Sequence, residues 1–275
     1  MIIGITGHKG VLAKSLIKYL KNKNYKLSLY QHDILDHKKL ANWLKRVNII
    51  LHMAAVTSIK RVNQDKAYAK KVNFKSVEYL VETIKKTNKK LVFISSSHVY
   101  GSSEKKISEK NHKSPITYYG NLKSLSEDII QNNLSNYLII RMFSYFSIYQ
   151  NNDFLIPSII NKIQTSKGKK IQIKNYNYIR DISSVDFMSR QITELIFKNT
   201  KGVVNCGSGE GIKLIDLAMK IAKFKYNKVI ELDKRFKTKR INKIVCNNSK
   251  LIKITGINEK DNLFKYLTKK NLFRN

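Results

Sequence analysis

Three side chains near the middle of the chain have the types and spacing of an acid/base group. Tyr119 and Lys123 lie four residues apart in a segment with helical spacing, so they share one face of the predicted helix. A free phenol has a pKa of about 10. A lysine ammonium beside it stabilises the phenolate and lowers that pKa, which makes the tyrosine a usable acid or base. Ser96 ends a predicted strand and can hydrogen-bond the same substrate oxygen.

The Tyr-x-x-x-Lys spacing is weak evidence by itself. A lysine-rich chain with 15 tyrosines produces it by chance, usually on the surface. The spacing becomes stronger evidence together with Ser96 and the first residues of the chain. There an apolar run ends at Thr6-Gly7, and apolar residues recur at helical spacing from Val11. This pattern predicts a strand, a tight turn and a helix.

The glycine turn between that strand and helix predicts a dinucleotide site rather than a plain turn. Gly7 and Gly10 allow a sharp bend and a close approach, so that the N–H groups at the helix start face a phosphate. The spacing is Gly-x-x-Gly-x-x-Ala, with Ala13 at the third position, and differs from the usual Gly-x-Gly-x-x-Gly.

The expected cofactor is NAD(P), with a mild preference for NADP(H). Gln31 stands at the end of the second predicted strand, where an acidic residue would hold the adenosine ribose. Lys9 adds positive charge in the turn. The preference is mild because Asp33, two residues further on, can take the role of that acid.

The elements that position these residues alternate between strands and helices over residues 1–150. Strands are predicted around Tyr25–Tyr30, Asn48–Ala55, Lys90–Ser96 and Tyr137–Met142, and one long helix is predicted after Ala55. This rhythm predicts an α/β fold, a doubly wound, Rossmann-like parallel sheet with its ligands at the carboxyl ends of the strands. Residues 151–275 are expected to form a smaller α/β substrate-binding region, of which about 178–210 packs back on the first domain.

Composition excludes several functional classes. The net charge is +34, yet only eight of the 53 basic residues are arginines and the lysines are dispersed. We therefore expect no specific nucleic-acid partner, although anionic ligands should be attracted. We expect no membrane span, signal peptide or metal site, and two free cysteines, Cys206 and Cys246, in a cytoplasmic protein.

Taken together, these features resemble the extended short-chain dehydrogenase/reductases, in particular the nucleotide-sugar epimerase/dehydratase/reductase group. The matching motifs, which span nearly the whole chain, are Thr6-Gly7-x-x-Gly10-x-x-Ala13, Asp33-Ile-Leu-Asp36, His52-Met-Ala-Ala55, Asn73, Ser95-Ser-Ser-His-Val-Tyr-Gly101, Tyr119-Gly-Asn-Leu-Lys123, Arg141-Met-Phe143, Arg180-Asp181 and Asn205-Cys-Gly-Ser208.

The resemblance implies a role for each matching position. Tyr119 is the catalytic acid/base, Lys123 binds the nicotinamide ribose and tunes Tyr119, and Ser96 is their hydroxyl partner. Cofactor contacts are implied for Gly7, Lys9, Gly10, Val11, Leu12, Asp33, Ile34, Met53, Ala54, Ala55, Asn73, Tyr119, Lys123 and Phe143. Contacts with the sugar nucleotide are implied for Ser97, His98, Ser144, Arg180 and Arg240, the two arginines facing its diphosphate. A homodimer is expected.

Two positions differ from the family pattern and reduce the number of reactions that are expected. Ser144 replaces an asparagine that contacts the substrate nucleotide, and Ser97-His98 replaces the Asp-Glu pair of the 4,6-dehydratases, so dehydration is not expected. An epimerase and a 4-keto-sugar reductase stay open, with hydride transfer expected at C4 of the sugar. A third possibility is a family member without catalysis that binds polyanions. The set Tyr119, Lys123 and Ser96 argues against it, because a binding protein has no need of an acid/base group.

Overall fold

The computed structural model describes residues 1–166, 170–173, 177–226, 229–232, 242–259, 261, 263 and 267. Its centre is a six-stranded sheet with the order β2-β1-β3-β4-β5-β9, in which every neighbouring pair is parallel. The strands of this sheet are β1 (Ile2–Thr6), β2 (Lys26–Leu29), β3 (Ile49–His52), β4 (Lys90–Ser96), β5 (Tyr137–Met142) and β9 (Gly202–Cys206). The Rossmann-like fold class predicted from the sequence is confirmed.

Helices cover both faces of this sheet. The α-helices of the described part of the chain are α1 (Val11–Asn22), α2 (His37–Leu44), α3 (Ile59–Gln64), α4 (Lys66–Lys70), α5 (Ser76–Ile84), α6 (Tyr118–Asn133), α7 (Leu155–Thr165), α8 (Val185–Phe197), α9 (Leu214–Ile221) and α10 (Ser249–Thr255), of which α7 and α9 pack under the second sheet instead. The apolar runs of β3 and β4 are buried, with Ile94 partly exposed, because alternate side chains enter two different cores. Leu51 and Val92 pack toward α1 and α8, whereas Ile50 and Phe93 pack toward α2 and α5.

A second, smaller sheet stands beside the carboxyl end of the first. Its strands are β6 (Ser144–Phe146), β8 (Ile179–Ser184), β10 (Gly211–Lys213) and β12 (Lys243–Ile244), and β7 (Lys170–Ile173) pairs separately with β11 (Val229–Leu232). A separate core of α7 and α9 side chains with Phe146 and Ile182 lies beneath them. The chain returns to the main sheet through α8 and β9, so residues 185–206 pack with the main sheet and not with the second one.

The long helix predicted after β3 is interrupted in the structure. Helix α3 ends before Asp65, which caps α4 by accepting a hydrogen bond from the Tyr68 N–H. A π-helical turn at Lys71–Lys75 then joins α4 to α5. Such turns are rare and often lie at functional sites. This one carries Asn73, one of the residues singled out from the sequence.

No helix in the described part of the chain has the length and apolar character needed to span a bilayer. Within the same residues, no group of three or more His, Cys, Asp or Glu side chains is placed to hold a metal ion.

Candidate active site

A cavity of about 1340 Å³ opens at the carboxyl ends of the main strands. Its size exceeds the roughly 300–1,000 Å³ of ordinary small-molecule pockets. The sequence-predicted site residues that line it are Gly7, Lys9, Gly10, Val11, Leu12, Asp33, Ile34, Met53, Ala54, Ala55, Ser96, Ser97, His98, Tyr119, Phe143, Ser144 and Arg180. Asn73 and Lys123 lie outside its wall, and Arg240 lies outside the described residues.

The glycine turn forms one end of the cavity. Gly7 adopts a φ of +68°, and a side chain there would bring its Cβ within 2.6 Å of the Ala54 nitrogen. The Gly10 N–H donates to the Gly7 carbonyl at 3.0 Å, which closes the turn. Helix α1 begins at Val11 without a side-chain cap, so its first N–H groups face the cavity end unshielded. This is the geometry that binds a phosphate.

Thr6 joins the carboxyl ends of β1 and β3 beside that turn. Its hydroxyl oxygen accepts the N–H groups of Met53 and Ala54, at 3.1 and 3.2 Å. The hydroxyl hydrogen is then free for Nδ1 of His52, 3.1 Å away, which places the imidazole proton on Nε2. Burial lowers the pKa of His52 to about 3, so the ring is neutral and structural.

The far side of the turn carries the residues expected around adenosine. Gln31, His32, Asp33 and Ile34 all line the cavity. One oxygen of the Asp33 carboxylate accepts the Leu35 N–H at 2.9 Å, which holds the loop after β2 in a local turn.

Tyr119 lies in the first turn of α6, where the helix enters the cavity wall. The side chain of Thr117 caps the helix by accepting the Gly120 N–H at 3.0 Å. Gly120 itself lies so close to the carbonyl of His98 that a side chain at this position would clash. The close approach brings Tyr119 against the loop after β4, where its ring meets that of His98 edge-on at 5.7 Å.

Tyr119 and Ser96 line the same cavity, and a hydrogen bond with Ser96 acts to lower the pKa of Tyr119. Burial nevertheless raises the pKa of Tyr119 above its ordinary value, and the Ser96 hydrogen bond only partly opposes this effect. The sequence predicts the opposite direction, a pKa lowered by Lys123. Burial is the largest cause of the shift and keeps Tyr119 a neutral phenol.

Lys123 follows Tyr119 by one helical turn and lies behind the cavity wall. Its ammonium donates to the Ile94 carbonyl at 2.9 Å and lies 4.5 Å from the centre of the Phe93 ring. The distance from the ammonium to the centre of the Tyr119 ring is 6.0 Å. Burial lowers the pKa of Lys123 to about 8, while the Glu127 carboxylate acts to raise it.

Glu127 continues the same face of α6 and belongs to a buried ion pair that the sequence analysis missed. Arg141 from β5 donates to both of its carboxylate oxygens, at distances of 2.6–3.0 Å. Ser95 from β4 donates to the same carboxylate at 2.5 Å, and Arg141 also reaches the Tyr100 hydroxyl. The pair fixes α6 against β4 and β5. The sequence signal for Glu127 is its distance of eight residues from Tyr119, which places both side chains on the same face of the helix.

Asn73 fastens the loop that follows β3. Its side-chain carbonyl accepts the Val56 N–H at 2.7 Å, and its amide donates to the Val56 carbonyl at 2.8 Å. Val56 and the three residues before it line the cavity. Asn73 therefore shapes the wall through Val56.

Arg180 is the cation on the substrate side of the cavity. Its Nη1 donates to the carbonyls of Ile179 and Asn242, at 2.9 and 2.7 Å, and its guanidinium stacks 4.8 Å from the Tyr178 ring. Among the described residues it makes no ion pair. The neighbouring Asp181 carboxylate accepts hydrogen bonds from Ser208, Gly209 and Cys246. Arg180 and burial together lower the pKa of His98 to about 4, with burial the larger cause.

Five further residues in the cavity wall on this side were not predicted. Arg61 pairs with Asp153 across the cavity rim, with Nε 3.2 Å from the carboxylate. Tyr145, Gln150 and Lys162 complete the lining around Arg180. They lie on β6, on the turn after it and on α7, in a part of the chain where no spacing pattern marked them.

A doubly wound parallel sheet, a glycine turn at its first crossover and a Tyr-x-x-x-Lys pair beside a strand-end serine together define an extended short-chain dehydrogenase/reductase. The family can be stated more closely. The family model for the RmlD substrate binding domain matches residues 1–241, and the chain belongs to that family.

Curated relatives are similar at low identity. The chain is 27% identical over 194 residues to a dTDP-4-dehydrorhamnose reductase of Aggregatibacter actinomycetemcomitans, which covers 66% of this chain and 64% of that protein. It is 27% identical over 195 residues to a Bacillus subtilis (strain 168) protein described as an uncharacterized UDP-glucose epimerase, with 66% of this chain and 61% of that protein covered. The matched segments thus span less than two thirds of those relatives.

Solved structures share the fold over almost the whole chain. RMD from Pseudomonas aeruginosa, complexed with NADPH, has a TM-score of 0.84 at 20% identity, and 97% of this chain and 96% of that chain are covered. UDP-glucuronic acid 4-epimerase from Bacillus cereus, complexed with UDP-glucuronic acid and NAD, has a TM-score of 0.84 at 21% identity with the same coverage.

Proposed function

We propose that the protein is an NAD(P)-dependent oxidoreductase or epimerase that acts on a nucleotide-activated sugar, with hydride transfer at a sugar carbon, expected to be C4. The observation that carries this proposal is that Tyr119 and Ser96 line the same cavity as the glycine turn at Gly7 and Gly10. An acid/base group and a phosphate cradle at the two ends of one cavity suit a dinucleotide and an alcohol or ketone substrate.

The residues at the glycine turn fit a dinucleotide. The space beside Gly7 excludes even a Cβ, and the uncapped start of α1 offers N–H groups to the pyrophosphate. Asp33 and Ile34 would flank the adenine, and Met53, Ala54 and Ala55 would line the pyrophosphate side. When bound, the nicotinamide supplies or accepts the hydride.

The protein's own residues manage the proton. Tyr119 would donate its phenol hydrogen to the sugar oxygen during reduction, or take the hydrogen back during oxidation. Ser96 would hold the same oxygen and steady its developing charge. Lys123 would act from behind the wall, where its ammonium keeps a positive charge beneath the ring of Tyr119.

The substrate would lie on the side formed by the second region, residues 151–275 together with the loop after β4. Arg180 presents a guanidinium fixed by two carbonyls, which suits the diphosphate of a sugar nucleotide. Ser97, His98 and Ser144 would surround the sugar. The Bacillus cereus structure with UDP-glucuronic acid supports this class of substrate.

NADPH should bind at least as well as NADH. Gln31, which lines the cavity, carries no charge to repel a 2′-phosphate, and Lys9 adds a cation. Titration of the protein's effect on the fluorescence of each reduced cofactor tests this preference. A clear preference for NADH would assign the ribose contact to Asp33.

A 4-keto-sugar reductase is the alternative to an epimerase. The similarity to a dTDP-4-dehydrorhamnose reductase supports this alternative. A reductase consumes one reduced cofactor per turnover, whereas an epimerase shows no net change, so cofactor absorbance separates the two.

The decisive experiment is a panel of UDP-, dTDP-, GDP- and CDP-sugars and their 4-keto derivatives, incubated with NADH, NADPH and the oxidised cofactors. Turnover of a panel sugar by the wild type, lost in Tyr119→Phe, supports the proposal. A protein that binds neither cofactor nor sugar nucleotide, and instead binds polyanions, would overturn it. We also expect a homodimer, which light scattering tests.

A further inference from the structure

We propose that Glu127 is a positioning residue that keeps the Lys123 ammonium charged behind Tyr119 and thereby sets the upper pH limit of catalysis. This inference rests on the proposed function, in which the charge of Lys123 supports the acid/base role of Tyr119. Glu127 does not line the cavity, so it would act through Lys123 and not through the substrate or the cofactor.

Hydrogen bonds hold the two charges at consecutive residues of β4. Lys123 and Glu127 lie four residues apart on α6, a spacing that brings two Cβ atoms within about 5–6 Å on one helix face. The Lys123 ammonium donates to the Ile94 carbonyl at 2.9 Å, and the Glu127 carboxylate accepts the Ser95 hydroxyl at 2.5 Å. The Ile94 carbonyl and the Ser95 N–H belong to one peptide unit. The ammonium and the carboxylate are therefore neighbours.

The Glu127 carboxylate is fixed in this place as an anion. Arg141 donates to both of its oxygens, and Ser95, the register partner of Arg141 on β4, donates to one of them. Two donated bonds from a guanidinium are the geometry of an ionised carboxylate. The Lys113 ammonium approaches the same carboxylate to 4.0 Å. The Glu127 side chain has no exposed surface, so solvent ions screen its charge little.

The other ionisable groups around the Lys123 ammonium supply no negative charge. Tyr119, whose ring centre is 6.0 Å away, is a neutral phenol. The His52 ring on β3 stacks 6.0 Å from the phenyl ring that the ammonium covers, and burial lowers the pKa of His52 to about 3. Arg141 on β5 is a cation. Among the described residues, Glu127 is thus the carboxylate that acts on Lys123, and it raises a pKa that burial lowers to about 8.

Replacing Glu127 with glutamine keeps an oxygen for Ser95 and Arg141 but removes the charge. At an effective dielectric constant of about 20, a unit charge at this kind of separation shifts a pKa by about one to two units. We therefore expect the pKa of Lys123 to fall by about one to two units from about 8. At neutral pH the ammonium of the wild type is mostly charged, whereas the amine of the variant is largely neutral.

An NMR titration of protein labelled with carbon-13 at the lysine Cε atoms measures the charge of Lys123 without any turnover. Lys123→Arg identifies its signal by removing it. Lys90 is the matched control, since it lies at the opposite end of β4, donates to Asn199 at 2.8 Å, and also has its pKa lowered to about 8 by burial. Glu127→Gln should lower the pKa of Lys123 and leave that of Lys90 unchanged. An unchanged pKa of Lys123 would overturn the inference.

The pH dependence of turnover is the second measurement, made with the sugar nucleotide that the wild type turns over. In Glu127→Gln, kcat/KM should fall about 5- to 50-fold at pH 8 but only about twofold or less at pH 6, where Lys123 regains its proton. An equal loss at both pH values would mean that Glu127 only holds α6 in place, and would overturn the inference. If the wild type turns over no sugar nucleotide, the proposed function fails, and the titration alone decides whether Glu127 holds the charge of Lys123.

A second variant covers the case in which Glu127→Gln does not fold. Glu127→Leu combined with Arg141→Met removes both partners of the buried pair, a change that proteins often tolerate without loss of stability. The pKa of Lys123 should again fall, but by less, because the repulsion from Arg141 is removed as well. No fall in this double variant would equally overturn the inference.

Discussion

Replacing Arg180 with lysine tests whether its planar guanidinium binds the diphosphate of the substrate. The alternative is that Arg180 holds the second sheet together, as an ion pair with a neighbouring aspartate would. The structure weakens that alternative, because Asp181 is already satisfied by Ser208, Gly209 and Cys246. The structural bonds of Arg180 are its two hydrogen bonds to the carbonyls of Ile179 and Asn242.

The magnitude follows from these contacts. A guanidinium has five N–H donors. Both structural bonds use Nη1, and the other two nitrogens donate to no described residue, so they can reach a diphosphate. Lysine keeps the charge but loses the paired geometry. The loss should be about 1.5–3 kcal/mol, the scale of a hydrogen bond to a charged group, or roughly a 10- to 150-fold rise in Kd for the sugar nucleotide.

Stability should change much less. A lysine ammonium at this position can keep one of the two carbonyl hydrogen bonds, so the net loss is about 0.5–1.5 kcal/mol. For a chain of this size the melting temperature then falls by only a few degrees, roughly 2–4 °C per kcal/mol. Affinity for NAD(P) should stay unchanged, because the glycine turn lies at the other end of the cavity.

Calorimetric titration of the sugar nucleotide into wild type, Arg180→Lys and Arg190→Lys measures the effect. Arg190 is the matched control, since it pairs with Glu259 at the surface and does not line the cavity. Normal sugar-nucleotide affinity in Arg180→Lys would refute the reasoning. If that variant also melted far below Arg190→Lys, the role of Arg180 would be structural.

Three further outcomes are expected. Tyr119→Phe should keep its fold and cofactor affinity but lose at least about a hundredfold in kcat, and near-normal turnover would move the acid/base role elsewhere. Glu127→Ala should cost about 3–5 kcal/mol in urea unfolding, because it leaves the buried Arg141 charge unpaired; a loss below about 1 kcal/mol would contradict the buried pair. His98 has a folded pKa of about 4 against 6.5, so the unfolded chain binds its proton first and stability falls as pH drops from 6.5 toward 4. His98→Asn should therefore lose less melting temperature between pH 7 and 5 than the wild type, and an equal loss would show that His98 is not buried as a neutral ring.

The sequence predicts the main sheet well because its strands are buried on both faces. Lys90–Ser96 and Tyr137–Met142 contain the apolar runs 91–94 and 138–140, and the structure has both strands at the predicted bounds. The strand after α2 is shorter than predicted, ending at His52 rather than Ala55. Beyond His52 the chain leaves its neighbours, and Thr6 binds the freed N–H groups of Met53 and Ala54.

The interruption of the helix before α5 could not be predicted from apolar spacing. Val72, Val77, Leu80 and Val81 are buried as a continuous helix would bury them. The π-helical turn Lys71–Lys75 contains Val72 and Asn73, and the Asn73 side chain accepts the Val56 N–H. A hydrogen bond between residues 17 positions apart leaves no periodic trace in the sequence.

Tyr119 and Lys123 show why spacing predicts placement better than electrostatics. A spacing of four residues places two side chains on one face of a helix. Both side chains extend from α6 toward the end of β4. Spacing does not fix where a four-carbon side chain ends. The Ile94 carbonyl and the Phe93 ring hold the Lys123 ammonium behind the wall. The pKa of Tyr119 then depends mainly on burial, which raises it and which no spacing pattern in the sequence encodes.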